Sequence, residues 1–400
     1  MCIQKNKSFF IVPALAWIIY VFAYMGRMNL SITIPYLQSE FGYSKAAIGF
    51  LASGFFCTYA VGQLINGMLG DRIPVKYFVS LGLIVAGISN IVFGIVHTFP
   101  VLFLAWSANG YFQSMLWGPL LRTISESVPQ NKLYRATFLM STSPTIGRLL
   151  SYVFTGRLAV WKWEAAFLLP GTLLIMAAGV WYCAIPMAIP AKQMPVKQAR
   201  TRGKELINFF INSKIYLMIL LGVLIGVIRE GLTFWGPVFF IESYSLKMEK
   251  MLFIMSFVPL VNLLFIITAG ILIKKYLKNE KAAILMFLLI ALLPILLIWR
   301  AHNMVFPLIV ISFYVLTASI STVNNQMTSY LPFGFAKYGK VSAAAGIIDS
   351  SFYLGATIAG PLIGITAESF GWNGIFGGIL GICAAALIPG FFLRRGDKRR

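Results

Sequence analysis

The stretch YVFAYMGRMNLSITIP at residues 20–35 places one arginine, Arg27, inside an otherwise apolar run. Such a run is typical of a helix that crosses a membrane, and an arginine at the centre of the bilayer costs about 2.5 to 3.5 kcal/mol on insertion scales. A second arginine, Arg229, lies at the matching place of the second half, in GVIREGLTFWGP at residues 226–237. Two intramembrane arginines at equivalent positions predict a clamp for an anion.

The composition indicates a membrane protein rather than a soluble one. Of the 400 residues, 59% are hydrophobic and only 11% are charged, which is far from the average of soluble domains. Runs of about 18 or more apolar residues are each long enough to span a hydrocarbon core. The predicted segments lie at residues 9–36, 46–69, 77–97, 100–124, 135–156, 164–186, 213–240, 251–273, 281–299, 304–331, 342–366 and 372–393. We therefore expect an all-α integral membrane protein with twelve transmembrane helices.

The distribution of charge predicts the orientation of the chain. It has 33 Lys and Arg against 12 Asp and Glu, a formal net charge of +21. With the N-terminus inside, the cytoplasmic side carries Lys5, Lys7, Arg72, Lys76, Lys132, Arg135, the central linker, Lys274, Lys275, Lys278, Lys281, Lys337, Lys340, Arg394, Arg395, Lys398, Arg399 and Arg400. The other side carries only Lys45, Arg157, Lys162, Lys247, Lys250 and Arg300. The positive-inside rule then predicts a multi-pass protein of the inner or plasma membrane with both termini cytoplasmic, and the basic surplus favours the lipid bilayer over nucleic acid as its partner.

The chain divides into two halves that share a pattern. The predicted regions are an N-terminal six-helix bundle at 1–186, a basic cytoplasmic linker at 187–212 and a C-terminal six-helix bundle at 213–400. The repeated residues are Arg27, Pro35 and Glu40 in the first half and Arg229, Pro237 and Glu242 at the same spacings in the second. Several matches in the same order indicate a duplicated unit. Transporters built from parallel repeats have this arrangement, with the substrate site at the interface of the halves.

Four segments carry a resemblance to a known family. They read GMLGDRIPVK at 67–76, RMNLSITIPYLQSEFGYSKAAIGFLASGFFCTYAVGQLINGMLGDR at 27–72, NGYFQSMLWGPLLRTISE at 109–126 and GIIDSSFYLGATIAGPLIGITAESFGW at 346–372. The first resembles the cytoplasmic loop signature of the major facilitator superfamily. The others resemble the first two, the fourth and the eleventh helices of its organophosphate:phosphate antiporter family, the glycerol-3-phosphate and hexose-phosphate carriers. The resemblance implies the major facilitator fold, with two pseudo-symmetric six-helix bundles, and secondary transport without a cofactor.

The resemblance also implies a set of binding residues. In the antiporter family, arginines of the first and seventh helices bind the phosphate, and Arg27 and Arg229 match them. The family's site tyrosines match Tyr20, Tyr24, Tyr59 and Tyr353, and its fourth-helix Gln and Trp match Gln113 and Trp117. Gln63 stands where the glycerol-3-phosphate carriers have a lysine, and Pro144 aligns with their fifth-helix histidine. These differences leave the substrate and its protonation chemistry open.

Spacing alone adds a third cation and a polar helix. A first stripe at i, i+4, i+7 and i+11 consists of Tyr20, Tyr24, Arg27 and Ser31, and a second of Ser141, Thr145, Arg148 and Tyr152. Residues at these spacings share one helix face, so Arg148 becomes a candidate third contact for the anion or a partner of an acid. Asn325 belongs to a polar stripe on the tenth segment and is a candidate for lining the same cavity.

The acids of the apolar segments are candidates for coupling or gating. Glu230 follows Arg229 directly, so on a helix it points about 100° away, and we expect it to pair with another cation, take a proton or read a positive group on the substrate. Asp349 precedes Tyr353 by one turn and is either a proton-coupling site or a counter-ion. Asp71 and Arg72 are expected to form gating or structural pairs, as are Arg122 and Glu126.

The residues favour transport over catalysis. His97 and His302 have no Ser, Cys or carboxylate at a spacing that indicates a triad or metal site, and the glycines form no phosphate-binding loop. We therefore expect no enzyme activity, but a monomeric secondary transporter that exchanges organophosphate for inorganic phosphate.

Two alternatives stay open for the function. One is a proton-coupled symporter of carboxylates, which resembles the anion:cation symporter family, although that family has an acidic residue where Gly26 stands. The other is a sugar-phosphate sensor that does not transport. The expected partners are thus a small phosphorylated or carboxylated anion, with phosphate or a proton as the coupling ion.

Overall fold

The computed structural model describes residues 2–70, 73–185, 214–277, 279–301, 306–331 and 341–395, which contain helices and no strand. The helices are α1 Cys2–Phe41, α2 Lys45–Leu69, α3 Val75–Ile95, α4 Phe99–Gln113, α5 Trp117–Ser127, α6 Gln130–Leu150, α7 Gly156–Trp161, α8 Ala165–Ala184, α9 Ile215–Tyr244, α10 Met248–Leu272, α11 Glu280–Ala301, α12 Phe306–Asn325 and α13 Val341–Arg395. Single π-helical turns follow α6, α10 and α12 at Ser151–Thr155, Ile273–Leu277 and Gln326–Tyr330. The predicted linker at 187–212 lies outside the described residues.

Nine helices within these ranges are long and apolar enough to cross a membrane. The last of them, Ala344–Arg394, has 51 residues and is interrupted at Gly371, whose φ of 64° and ψ of −169° are not helical. At 1.5 Å per residue it is about 75 Å long, enough for two passes through a core of roughly 30 Å. The predicted segment 100–124 corresponds to the pair α4–α5, and 135–156 corresponds to α6 with the π-helical turn that follows it. The all-α, multi-pass membrane fold is confirmed, and each predicted segment has a helical counterpart, while the count of twelve crossings stays a prediction.

Local sequence explains the sharp turn between α1 and α2. Gly42 has a φ of 65°, which only glycine adopts without strain, and its N–H donates to the carbonyl of Gln38 at 3.1 Å. Ser44 then caps α2, because its hydroxyl accepts the N–H of Ala47 at 3.1 Å. Only three residues, Gly42 to Ser44, therefore separate α1 from α2.

The repeat predicted from the sequence has a structural counterpart in each half. In the first half, the indole Nε1 of Trp163 donates to Glu40 Oε2 at 2.7 Å. In the second half, Nε1 of Trp372 donates to Glu242 Oε2 at 2.9 Å. Each glutamate follows the arginine of its half by thirteen positions, and each tryptophan lies at the turn before the last helical segment of its half. The halves therefore share both spacing and contacts.

The two halves are joined at one end of the bundle, which we call the distal end and define by Phe41, Lys45, Tyr244 and Gly371. Lys45 Nζ lies 2.8 Å from Glu242 Oε2. Further into the bundle, the Ser53 hydroxyl donates to the Thr357 carbonyl at 2.5 Å, and the Ser31 hydroxyl, one turn from Arg27, donates to the Phe234 carbonyl at 2.7 Å. The N–H of Ala46 also donates to Glu368 Oε1 at 3.2 Å. These contacts hold α1 and α2 against α9 and α13.

Two glycines let α2 and α13 approach backbone to backbone at this end. A Cβ added to Gly49 would overlap the carbonyl oxygen of Gly360, and one added to Gly360 would overlap that of Gly49. Only residues without a side chain fit such a contact. A Cβ on Gly67, also in α2, would meet open space.

We expect Gly49→Val to lower the free energy of unfolding by about 1 to 3 kcal/mol, because the added side chain forces the two backbones apart. Denaturation of the purified protein in detergent measures this change. Gly67→Val is the matched control, because it makes the same substitution in the same helix at a position where the added side chain meets open space. Equal losses in both variants would contradict the packing role of Gly49.

Candidate functional site

Arg27 lies in a cage of aromatic rings near the middle of α1. Its Cζ is 4.7 Å from the ring centre of Tyr24, 4.4 Å from that of Tyr59 and 5.2 Å from that of Phe55. Only 7% of the residue is exposed. The negative faces of the rings attract the guanidinium, and a desolvated contact of this kind is worth about 2 kcal/mol. The cage stabilises the buried cation without cancelling its charge.

A polar pair on α4 holds Arg27 in place. Nε and Nη2 of Arg27 both donate to Gln113 Oε1 at 3.3 Å. Nε2 of Gln113 donates to Asn109 Oδ1 at 2.9 Å, and Nδ2 of Asn109 donates to the carbonyl of Gly26 at 2.9 Å. The hydrogen bonds thus run from Arg27 through Gln113 and Asn109 back to Gly26, the neighbour of Arg27 on α1. They fix the position of the guanidinium relative to its own helix.

The structure contradicts the prediction that Glu230 points away from Arg229. Nη2 of Arg229 lies 2.6 Å from Oε1 of Glu230, and their side chains are only 10% and 5% exposed. The Cβ atoms of neighbouring helical residues do diverge by about 100°, but a guanidinium on a flexible stem can bend around the helix. Burial favours this, because a lone charge in a dry interior costs more than a paired one.

Tyr353 of α13 contacts the arginines of both halves. Nη1 of Arg27 donates to its hydroxyl at 3.5 Å, and its ring centre is 6.0 Å from Cζ of Arg229. The ring also packs on that of Tyr59, with 4.4 Å between centroids. Arg27 and Glu230 line one small cavity, which has room for about one water molecule. The structure thus brings together the two arginines singled out in the sequence.

Arg148 of α6 lies beside the same cluster. Its Cζ is 5.2 Å from the ring centre of Tyr24, and its charge attracts the carboxylate of Glu230. Its Nε is buried and has no hydrogen-bond partner among the residues described. Of the predicted stripe on this helix, Tyr152 is buried, Thr145 and Arg148 are half-buried and Ser141 is exposed.

The other predicted site residues differ in their contacts. The ring of Tyr20 packs on that of Trp117 at 4.7 Å and on that of Tyr24 at 5.4 Å. Gln63 is half-buried, and Asn325 accepts a hydrogen bond from the hydroxyl of Ser329 at 3.2 Å. Tyr20 and Trp117 thus extend the aromatic surface of the site.

The acids and charged pairs divide into three groups. Asp349 is half-buried and belongs to no ion pair in the described part of the chain, although Arg229 and Arg27 attract its carboxylate. Arg122 and Glu126 form the predicted pair, with Nε and Oε1 2.7 Å apart. Asp71 and Arg72 lie outside the described residues.

Sequence reasoning missed Phe55 and Asn109. Phe55 stands in an apolar run, where no pattern separates a cage residue from an ordinary core residue. Asn109 and Gln113 are spaced i, i+4 in an apolar helix, a pattern that indicates one buried polar face. That spacing could have predicted the support for Arg27.

Residues 16–348 match the protein-family model described as Major Facilitator Superfamily. A probable hexose phosphate transport protein of Chlamydia trachomatis is 25% identical over 92% of this chain and 87% of its own length. The glycerol-3-phosphate transporter of Bacillus subtilis is 23% identical over 92% of this chain and 88% of its own length. The membrane sensor protein UhpC of Escherichia coli is 24% identical, with coverages of 93% and 90%. The similarity thus extends over nearly the whole chain.

Solved structures share the fold at low sequence identity. A bacterial homolog of the human lysosomal transporter Spinster, in an inward-facing and occupied conformation, matches with a TM-score of 0.78 and 14% identity over 96% of both chains. The nucleoside transporter NupG matches with a TM-score of 0.74 and 17% identity over 97% of this chain and 100% of that chain. These similarities concern the fold.

We expect Gln113→Leu to lower the free energy of unfolding by about 1 to 3 kcal/mol, because Arg27 and Asn109 then lose a buried hydrogen-bond partner. Denaturation in detergent measures the loss. Gln63→Leu is the matched control, since no hydrogen bond of Gln63 is found within the described ranges. A loss no larger than that of the control would show that Gln113 does not support Arg27.

Proposed function

Because the chain belongs to the Major Facilitator Superfamily, we propose that it transports small phosphorylated organic anions across the membrane in exchange for inorganic phosphate. The observation that carries this proposal is the pair of buried arginines, one from each half, that both contact Tyr353. Two of the relatives are a probable hexose phosphate transport protein and a glycerol-3-phosphate transporter, which supports this substrate class.

The arginines offer donors that suit a phosphate group. The hydrogen bonds of Arg27 are long, at 3.3 Å to Gln113 and 3.5 Å to Tyr353, so an anion with shorter charge-assisted bonds would replace them. Nε of Arg229 is buried without a hydrogen-bond partner in the described chain, as is Nε of Arg148. Phosphate has several acceptor oxygens and can take donors from all three arginines.

Alternating access would turn this binding into transport. The distal end is joined by Lys45 and Glu242 and by the backbone contact of Gly49 with Gly360, so the anion would reach the site from the opposite end. In the orientation given by the positive-inside rule, with both termini cytoplasmic, that opposite end faces the cytoplasm. Rocking of the halves around the bound anion would then break the distal contacts and open the other side.

Particular observations favour two other candidate functions. Asp349 is half-buried and without an ion pair in the described chain, which suits a proton acceptor in a proton-coupled carboxylate symporter. Phosphate-independent uptake of a carboxylate, driven by a pH gradient and lost in Asp349→Asn, would support that function.

The similarity to a membrane sensor protein favours a sensor, for which phosphate would bind without any flux.

Exchange in liposomes tests the main proposal. We expect purified protein to exchange internal phosphate for labelled external phosphate, and Arg27→Gln or Arg229→Gln to reduce the rate about 100-fold, because each change removes a buried charge that contacts the anion. Arg300→Gln is the matched control, since Arg300 is exposed and stacks on Trp299 at 4.5 Å. Exchange by Arg27→Gln at the wild-type rate would refute the proposal.

A further inference from the structure

The carboxylate of Glu230 forms an ion pair with Arg229, the arginine of the second half. Its Oε1 lies 2.6 Å from Nη2 of Arg229, and only 4% of the residue is exposed. Glu230 also lines the small cavity that Arg27 borders. A carboxylate oxygen therefore holds the Nη2 donor of Arg229 that a bound anion would use, at the edge of the cavity that Arg27 borders.

Three guanidinium groups act on this carboxylate. Arg229 forms the ion pair, and the charges of Arg148 and Arg27 also attract the carboxylate. If an anion separates Glu230 from Arg229, the carboxylate still has Arg148 nearby, whose Nε has no hydrogen-bond partner in the described part of the chain. An anion that displaces the Glu230 carboxylate from Arg229 would therefore shift it towards Arg148, rather than leave an unpaired charge in a dry interior.

The charge balance of the empty site depends on Glu230. Arg27, Arg148 and Arg229 give three positive charges, and Glu230 with Asp349 gives two negative ones, so the ionised cluster has a net charge of +1. Without the carboxylate of Glu230 the net charge would be +2. Enclosing an unbalanced charge between the two halves is costly, and an empty carrier has to do this each time it changes conformation.

We infer that Glu230 acts as a built-in substitute for the transported anion, which pairs with Arg229 in the empty carrier and lets it reorient without cargo. This inference rests on the proposed transport of phosphorylated anions. It has two consequences: exchange is not strict, because the empty protein can return, and Glu230 competes with the substrate for Arg229. Glu230→Gln removes the carboxylate while keeping the size of the side chain, so it should bind phosphate more tightly and lose the return of the empty form.

The test compares two kinds of efflux from the same proteoliposomes. Vesicles are loaded with labelled inorganic phosphate, and potassium with valinomycin holds the membrane potential at zero. Efflux is measured with phosphate outside, which reports exchange, and without it, which reports net transport through the empty carrier. We expect the rate of net efflux in the wild type to be within about 10-fold of the rate of exchange. In Glu230→Gln, the ratio of net efflux to exchange should be at least about 10-fold lower than in the wild type, which corresponds to a difference of about 1.4 kcal/mol.

Two further variants and a binding measurement complete the design. Glu230→Asp keeps a carboxylate and should recover part of the net efflux. Glu249→Gln is the matched control, because Glu249 is exposed in the first turn of α10, and it should keep the wild-type ratio. A thermal shift with inorganic phosphate shows that each variant is folded, and it should report tighter binding by Glu230→Gln.

The possible outcomes separate this inference from the proposed function. Normal exchange by wild type and Glu230→Gln with the same ratio of net efflux to exchange would overturn the inference alone. Wild-type exchange without any net efflux would also overturn it. Absence of both phosphate binding and exchange in the wild type would overturn the proposed function, and the inference with it.

Discussion

The positive charge of Arg27, buried inside an apolar bundle, determines much of the structure around it. A guanidinium without water needs hydrogen-bond acceptors and favourable electrostatic contacts, and here they come from the rings of Tyr24 and Tyr59 and the amide oxygen of Gln113. All of these groups are neutral. They stabilise the cation without neutralising it, so the site can stay folded when empty and still attract an anion.

The duplication places the arginines at equivalent positions of the two halves and also gives the halves equivalent contacts. Glu40 with Trp163 and Glu242 with Trp372 are equivalent contacts in the two halves. Glu242 has a second partner, Lys45, which comes from the other half. The same kind of contact therefore stabilises one half on its own and, in the other, also joins the halves, together with Glu368, which accepts the N–H of Ala46.

Most of the fold could be predicted from the sequence, because apolar runs and repeated spacings reflect general requirements of a bilayer. The interruptions could not be predicted. The break after Gln113 and the π-helical turn at Ser151–Thr155 depend on local packing, which has no simple pattern in the sequence. For the site, helix periodicity correctly aligned Tyr20, Tyr24 and Arg27, but it failed at Glu230. Periodicity gives the direction of a Cβ atom, whereas a long side chain in a dry interior turns towards its counter-charge.

The failure at Glu230 shows where the two halves have diverged. The residue after Arg27 is Met28, whereas the residue after Arg229 is Glu230, so equivalent arginines have an apolar neighbour in one half and an acid in the other. An anion that enters the site meets Arg27 without having to separate an ion pair. Its contact with Arg229 requires displacement of a buried carboxylate, which offsets part of the gain in free energy. In the proposed function the two arms would therefore have unequal roles, with Arg27 supplying most of the net attraction, because Arg229 is already paired with Glu230.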